Sequence, residues 1–347
     1  MVNMNVNEFV VKYSAKDVIL YALSIGFGST AQGYEKDLRF LYEDHEEFTV
    51  VPTLCLALIF WAQNNGLVGD SCSIPAFPPP MMKAMGVLPR RFLREDVPID
   101  EYPILHTAQT ISWSREMPVP HHTVLAVMRG KFLSVAPKSV GTFVTTETKI
   151  FENSSDTRSQ LLCTVRSTAL VFGLPSELVI PFKAPSIVSE PKDSAFFGEK
   201  TLLFELDCEI APNTALFYRL ASGDSNRIHV DQSAVPSISN YNCDSSSGPR
   251  PLLHGLCTLG IVTRMILQYM TRQNDNLSIR LLEGKFVRPV FVNDVITVQA
   301  WRATDSYEAT ICVLFIARNK KTGEVLLDNG RMLLVSEKET KTTLSRL

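Results

Sequence analysis

Three side chains with complementary chemistry lie close together in the segment Gly223-Asp-Ser-Asn-Arg-Ile-His-Val-Asp231. A carboxylate, an amide and an imidazole are predicted to share a single turn after a helix, on Asp224, Asn226 and His229. A carboxylate and a neutral imidazole so close can hold a water molecule, orient it and accept its proton. The spacing therefore predicts acid–base chemistry on a water molecule.

A second feature with chemical potential is a glycine at the start of a predicted helix, in Arg250-Pro-Leu-Leu-His-Gly-Leu-Cys257. In the first turn of a helix the N–H of Gly255 has no intrahelical partner. That donor and the positive end of the helix dipole would stabilise a developing oxyanion. Since glycine has no side chain, a ligand oxygen could approach the main chain closely.

The same residues allow other interpretations. Asp224, Asn226, His229 and Asp231 are of types that ligate divalent metals, but no second cluster of ligands is visible, and we predict no metal site. Turns of this composition also cap helices. We expect His254 to pack or hydrogen-bond at the helix start rather than to act as the base.

The elements that must position these residues follow the same order in both halves of the chain. Apolar periodicity and capping residues predict helices, and runs rich in Val, Thr, Phe and Leu predict strands. In the first half these are helices at 14–26 and 50–61 and strands at 122–135, 142–151 and 161–172. In the second half they are helices at 212–221 and 251–270 and strands at 278–288, 294–302, 307–317 and 324–335.

Two short matches indicate that the halves arose by internal duplication. Tyr21-Ala-Leu-Ser-Ile-Gly26 matches Tyr218-Arg-Leu-Ala-Ser-Gly223, and Pro52-Thr-Leu matches Pro251-Leu-Leu at a similar separation. Each unit is expected to be a long apolar helix wrapped by an antiparallel sheet, an α+β fold. Phe27 and Gln32 then occupy the positions of Asp224 and His229, so the first unit would be non-catalytic.

The motif Gly223–Asp231, together with Leu253-His-Gly-Leu256, resembles the hydratase 2 motif of MaoC-like hydratases. It is most similar to the eukaryotic double hot-dog enzymes that occur alone or within peroxisomal multifunctional enzyme type 2, over residues 14–335. The resemblance implies an α+β double hot-dog fold. It also implies hydration of trans-2-enoyl-CoA to (3R)-3-hydroxyacyl-CoA in peroxisomal β-oxidation, with acyl-CoA as substrate and no cofactor.

The resemblance also implies roles for individual residues. Asp224 and His229 would be the acid/base pair that binds the nucleophilic water, Asn226 would complete their network, and the Gly255 N–H would bind the thioester carbonyl. Thr107 and Ser225 replace a glycine and a tryptophan of the family pattern, which puts the substrate range in question. The residues expected to contact substrate are His106, Thr107, Lys138, Ser225, Arg227, Ile228 and Phe286.

Domain boundaries follow from this interpretation. We predict a non-catalytic unit at 1–172 that helps to house the acyl chain, a linker at 173–200, a catalytic unit at 201–337 and a tail at 338–347. The tail ends in Ser345-Arg346-Leu347, a variant of the tripeptide read by the peroxisomal import receptor.

The charge and composition of the chain limit the other classes of protein to which it could belong. A formal net charge of −2 gives no basic excess for nucleic acid. The longest apolar run, 54–61, is too short to span a membrane, and the N-terminus lacks the pattern of a secretory leader. The seven cysteines form no CxxC pair, so no zinc knuckle or disulfide framework is expected. The chain is compatible with a homodimer.

Two alternatives to the hydratase stay open at the level of sequence. A double hot-dog could hold acyl-CoA without converting it, although such a protein should lose Asp224 or His229, as the first half has done. A thioesterase is the other alternative, and release of free thiol would separate it from hydration.

Overall fold

The described part of the chain contains five α-helices and one large antiparallel sheet. The computed structural model describes residues 7–30, 33–68, 87–120, 124–152, 160–185, 199–224, 226–231, 250–271, 277–304 and 310–336. Within these ranges no helix combines the length and the hydropathy that a membrane crossing requires.

Local hydrogen bonds and backbone conformation set the ends of the helices. Ser14 precedes the first helix, and its N–H and Oγ both donate to the Asp17 carboxylate, at 2.9 and 2.8 Å. Gly223 ends the fourth helix with a φ of 74°, a left-handed conformation that glycine adopts without steric cost. The helices are α1 (Ala15–Ser24), α2 (Tyr34–Leu41), α3 (Leu54–Val68), α4 (Thr214–Ser222) and α5 (Gly255–Thr271).

Eleven strands form a single sheet in which every named pair is antiparallel. The strands are β1 (Asn7–Tyr13), β2 (Ile104–Trp113), β3 (Val124–Lys138), β4 (Gly141–Glu152), β5 (Gln160–Phe172), β6 (Phe182–Lys183), β7 (Lys200–Glu209), β8 (Leu277–Phe286), β9 (Val295–Ala303), β10 (Thr310–Asn319) and β11 (Val325–Ser336).

The strand order shows the duplication directly. Across the sheet it reads β1-β3-β4-β5-β2-β8-β11-β10-β9-β7, with β6 paired to β3. In each half the first strand is outermost and the second is innermost, and the others follow in chain order between them. The two halves meet where β2 pairs with β8, over Ala108 opposite Lys285 to Ser112 opposite Leu281.

Two of the long helices pack against the sheet, α3 on β1 and α5 on β8. Every residue of α5 from 256 to 267 is buried, so this helix is enclosed on all sides, as its composition predicts. It packs closely against the first half, because a Cβ added at Gly260 would lie 2.7 Å from the Ile25 Cγ2 atom. Tyr21 and Tyr218, which match in the two halves, lie against each other with ring centroids 6.0 Å apart.

Some elements differ from the sequence-based expectation. The outer strands β1 and β7, strand β2 and helix α2 were not predicted. β2 carries polar side chains on both faces and so lacks the alternation expected of a strand, whereas β7 does alternate, with charged side chains at 205, 207 and 209 between apolar ones. Helices α3 and α5 begin after their prolines, at Leu54 and Gly255.

Part of the segment expected as a linker, 173–200, packs against the first half. Leu174 and Val179 are buried in a second apolar cluster, Val179 bridges Leu93, and β6 pairs with β3. Residues 186–198 and the tail 338–347 lie outside the described residues.

We predict that Gly260→Val destabilises the protein. The new side chain would meet the branched Ile25 rather than a flexible chain end, and overpacking of this kind costs about 1–3 kcal/mol. Urea unfolding measures the change in free energy. Gly130→Val is the control, because its added Cβ would meet no atom nearer than Thr148 Oγ1 at 3.6 Å. Equal stabilities for the two variants would contradict the close packing of α1 on α5.

Candidate active site

Asp224 is held inside the protein by the turn that ends α4. The N–H of Gly223 donates to the Arg219 carbonyl at 2.9 Å, and the chain then turns inward, which leaves Asp224 only 7% exposed. The N–H of Asp224 donates to Ser222 Oγ at 3.2 Å. The Asn226 N–H donates to Asp224 Oδ1 at 3.1 Å. One carboxylate oxygen is thereby held by the main chain.

His229 is fixed in one orientation and one tautomer. It ends a short 3-10 turn, Arg227–His229, in which the Asn226 side chain accepts the Ile228 N–H at 3.3 Å. Its Nδ1 lies 2.8 Å from the Leu252 carbonyl oxygen. Because a carbonyl can only accept, Nδ1 carries the hydrogen and Nε2 keeps its lone pair.

The charge state of His229 follows from its surroundings. Burial lowers the pKa of His229, and this outweighs the opposing effects of the Asp224 carboxylate and the Leu252 carbonyl. The ring is therefore a neutral imidazole that presents an unprotonated nitrogen, the form that a general base requires.

Asp224, His229 and His254 form one buried cluster. Each offers an oxygen or ring nitrogen, and these atoms all lie within 4.8 Å of one another. The rings of His229 and His254 stack with centroids 3.6 Å apart and an angle of 23° between their planes. The cluster has the donors to bind a small polar ligand.

The stacking favours a water molecule over a metal ion in this cluster. A metal bound at about 2.0–2.1 Å should lie in the plane of each ligating imidazole, and two stacked planes cannot share such a point. A hydrogen bond of about 2.9 Å tolerates a larger departure from the ring plane. Asp231 takes no part in this cluster and instead pairs with Arg227.

Gly255 and Phe286 form the neighbouring wall. Gly255 is the first residue of α5, and a Cβ added there would lie 3.2 Å from Phe286 Cδ1. The ring of His106, on β2 of the first half, lies edge to face against the ring of Phe286, and the two ring centroids are 5.2 Å apart. A residue of the first half thus lies beside the wall of the C-terminal cluster.

His106 is also neutral. Burial lowers the pKa of His106 to about 4, although the Ala108 carbonyl and the Gln109 side chain favour its protonated form. Its Nε2 lies 3.1 Å from the Ala108 carbonyl, so that nitrogen donates. Gln109 was not singled out from the sequence, because it lies in a strand that the pattern does not reveal.

Other residues predicted to contact substrate lie in different surroundings. Thr107 occupies a bulge in β2, and its Oγ1 donates to the Thr168 carbonyl at 3.0 Å. Lys138 is exposed at the end of β3, with β4 and β5 between it and β2. Arg227 is exposed and Ile228 is half-buried. Ser225 lies outside the described residues. Their contacts with substrate stay predictions.

The matching place in the first half is apolar. Phe27, the counterpart of Asp224, is 2% exposed and packs on Phe40 at 4.5 Å between ring centroids. The match of Pro52 with Pro251 makes Cys55 the counterpart of His254, and Cys55 is fully buried. Gln32 lies outside the described residues. The described counterparts carry no acid–base pair.

Two family models match parts of the chain. Residues 196–314 match the family described as MaoC like domain. The chain carries a MaoC-like domain. Residues 11–85 match the MFE-2 hydratase 2 N-terminal domain. The resemblance predicted from the sequence is thereby confirmed, and relatives named enoyl-CoA hydratase 2 support the predicted hydro-lyase class.

Relatives of known name cover most of the chain. The Dictyostelium discoideum protein named probable enoyl-CoA hydratase 2 is 24% identical over 95% of this chain and 94% of its own length. The Arabidopsis thaliana protein named enoyl-CoA hydratase 2, peroxisomal, is 25% identical over 83% of this chain and 82% of its own.

Solved structures confirm the fold. A MaoC-like dehydratase from Phytophthora capsici matches with a TM-score of 0.67 at 23% identity, over 97% of this chain and 98% of its own. A Mycobacterium tuberculosis protein described as having a double hotdog fold matches with a TM-score of 0.50 at 14% identity, over 96% of both chains. The predicted α+β double hot-dog fold is confirmed.

We predict that acidification destabilises the MaoC-like protein through its buried histidines. Burial lowers the pKa of His229 and of His254, so the unfolded chain takes up their protons first, near pH 6.5. The free energy of unfolding should keep its full value above about pH 6.5 and fall as the pH drops below it. Urea unfolding between pH 7.5 and 5 measures the slope.

The variant His229→Gln tests the origin of this slope. Removal of one such proton flattens the dependence by up to about 1.4 kcal/mol per pH unit. Identical slopes for the variant and the wild type would show that His229 is not held neutral by folding.

Proposed function

We propose that the protein adds water across the double bond of a trans-2-enoyl-CoA to give the (3R)-3-hydroxyacyl-CoA. The observation that supports this most strongly is the buried Asp224–His229 pair beside the first residue of α5. The names of the Dictyostelium and Arabidopsis relatives agree with it.

The proposed chemistry divides between two parts of the site. The thioester carbonyl accepts a hydrogen bond from the Gly255 N–H, and the positive end of α5 stabilises the negative charge that develops on that oxygen. This makes C3 of the enoyl group electrophilic. The oxygen of a water molecule held by Asp224 and His229 forms the new bond to C3.

Protons and electrons balance within the site. His229 Nε2 accepts a proton of the attacking water, while the electrons of the C2–C3 double bond move toward the thioester oxygen. When they return, His229 releases the proton it accepted to C2, on the face that the water attacked. The product carries the hydroxyl on C3 and the hydrogen on C2, and the acid–base pair is restored.

The acyl chain is assigned to the first half of the protein. His106 of that half lies against Phe286, which in turn lies against Gly255. An acyl chain that leaves the reacting carbons past Phe286 would therefore reach the surface of β2. The apolar first half would act as a non-catalytic partner, in keeping with Phe27 at the position of Asp224.

The proposed cellular location rests on the names of the relatives. The Arabidopsis protein is named peroxisomal, so we assign the reaction to peroxisomal β-oxidation. The terminal tripeptide 345–347 lies outside the described residues, and its recognition by the import receptor and a homodimer stay predictions.

Hydration of crotonyl-CoA and decenoyl-CoA, followed by loss of the enone absorbance with chiral analysis of the product, tests the proposal. Asp224→Asn and His229→Gln should each lower kcat about 10²–10⁴-fold, because each removes one partner of the water. Asp231→Asn is the control, a nearby carboxylate that pairs with Arg227 outside the cluster.

Three outcomes would contradict the proposal. Rates near those of the wild type in both catalytic variants would refute the site. Release of free CoA thiol with the double bond kept in the free acid would identify a thioesterase, and tight binding of acyl-CoA with neither reaction would identify a non-catalytic binding module.

Gly255→Ala should lower kcat about 10²-fold, comparable to loss of one oxyanion donor. The added methyl group would lie 3.2 Å from the Phe286 ring and would occupy the approach to the Gly255 N–H. The double variant Gly255→Ala/Phe286→Leu separates the two effects, because it relieves the ring contact but not the blocked approach. Recovery of the full rate in the double variant would argue against an oxyanion role for this N–H.

A further inference from the structure

His254, the residue just before α5, has an unusual environment. It is 1% exposed, and neither of its ring nitrogens makes a hydrogen bond of good geometry among the described residues, although the Asp224 main chain lies close enough to affect its pKa. A neutral imidazole carries one N–H and one lone pair. A buried polar group without a well-formed hydrogen bond carries a desolvation cost, and native proteins rarely accept such a cost without a reason.

The ring of His254 is held so that an edge lies within the catalytic cluster. One face of the ring stacks on His229, with 3.6 Å between the ring centroids. The centroid of the Tyr218 ring lies 5.0 Å from that of His254. A ring nitrogen lies within 4.8 Å of the Asp224 carboxylate and of the ligand nitrogen of His229. The groups nearest to this edge are therefore those that hold the water in the proposed reaction.

Burial keeps His254 neutral. It lowers the pKa of His254 well below its usual range, and the proximity of His229 and Arg219 acts in the same direction, whereas the Asp224 main chain favours the protonated ring. A neutral ring keeps one N–H that can donate without competing with His229 for the transferred proton.

On the basis of the proposed function, we infer that His254 is a further catalytic residue, which binds the nucleophilic water through a ring N–H. The water donates one hydrogen to Asp224 and one to His229 Nε2. One of its lone pairs accepts from His254, and the other forms the bond to C3. His254 keeps its proton throughout. Its role is to fix which lone pair faces the substrate.

The degenerate half supports this role. Phe27 replaces Asp224 there and Cys55 replaces His254, and both replacements are buried in the apolar core. A long helix begins close to this position in both halves, because α3 starts at Leu54, which matches Leu253, two residues before the start of α5 at Gly255. A helix of this kind can therefore begin without a histidine at this position, which separates the residue from the needs of the fold.

The matched pair His254→Asn and His254→Leu tests the inference. The two side chains have nearly the same shape and both lose the stack on His229, but only asparagine offers N–H groups near the place of the ring nitrogen. His254→Gln and His254→Met form a second pair that reaches the other ring nitrogen. We expect kcat for crotonyl-CoA to fall about 10²-fold in the apolar variants, with KM changed less than threefold.

At least one amide variant should exceed its apolar partner about tenfold in kcat. Tyr21→Phe is the control, since it removes another buried polar group that lies on Tyr218 rather than on His254, and it should keep the rate of the wild type. Thermal unfolding and the affinity for butanoyl-CoA, which has no double bond to hydrate, verify that each variant is folded and binds.

Equal kcat values within both pairs would overturn the inference, whatever their absolute size, because shape alone would then matter. Apolar variants with the rate of the wild type would overturn it as well. A wild-type protein that does not hydrate enoyl-CoA would instead refute the proposed function. Loss of activity in Asp224→Asn with full activity in all His254 variants would refute only the role of His254.

Discussion

The pairing of β2 with β8 joins the two halves of this protein into one sheet, and the architecture of the site depends on it. The register sets Ala108 opposite Lys285, which brings His106 of the first half against Phe286 of the second. Phe286 in turn lies against the first residue of α5. Without this pairing the C-terminal cluster would keep Asp224 and His229 but lose the wall that the first half supplies.

Under the proposed function, the duplication also explains how one half would carry the chemistry while the other would not. Both halves keep the strand order and the long helix, because these bury the apolar surface that stabilises the fold. Polar groups inside a core carry a desolvation cost and persist only where they have a use. In the first half Phe27 and Cys55 fill the positions of Asp224 and His254 and pack in the apolar core.

The parts of the site that could be predicted from the sequence are those that depend on local structure. Asp224, Asn226 and His229 follow one helix in a single turn, so their proximity needs only the Gly223 cap and a short 3-10 turn. The start of α5 is marked by Pro251 and an apolar run. The fold class was predictable because the same order of elements occurs twice.

The remaining features depend on contacts between distant segments. The stack of His254 on His229 requires the 3-10 turn to meet the start of α5 through the Leu252 carbonyl, and no periodicity in the chain encodes that contact. The contact of His106 with Phe286 requires β2, whose polar residues on both faces hide it from pattern analysis. The packing of residues 173–185 on the first half was not predicted, because the prolines of this segment are typical of a linker between domains.

The central position of β2 and β8 has a consequence for how the halves can exist. Each is an inner strand, and separation of the halves would leave N–H and C=O groups without partners over the five positions at which β2 and β8 pair, 108–112 and 281–285. Such an edge readily pairs with strands of other molecules, and natural proteins avoid it. A fragment ending at either half would be prone to aggregate, so the second half needs the first even though Phe27 stands at the position of Asp224.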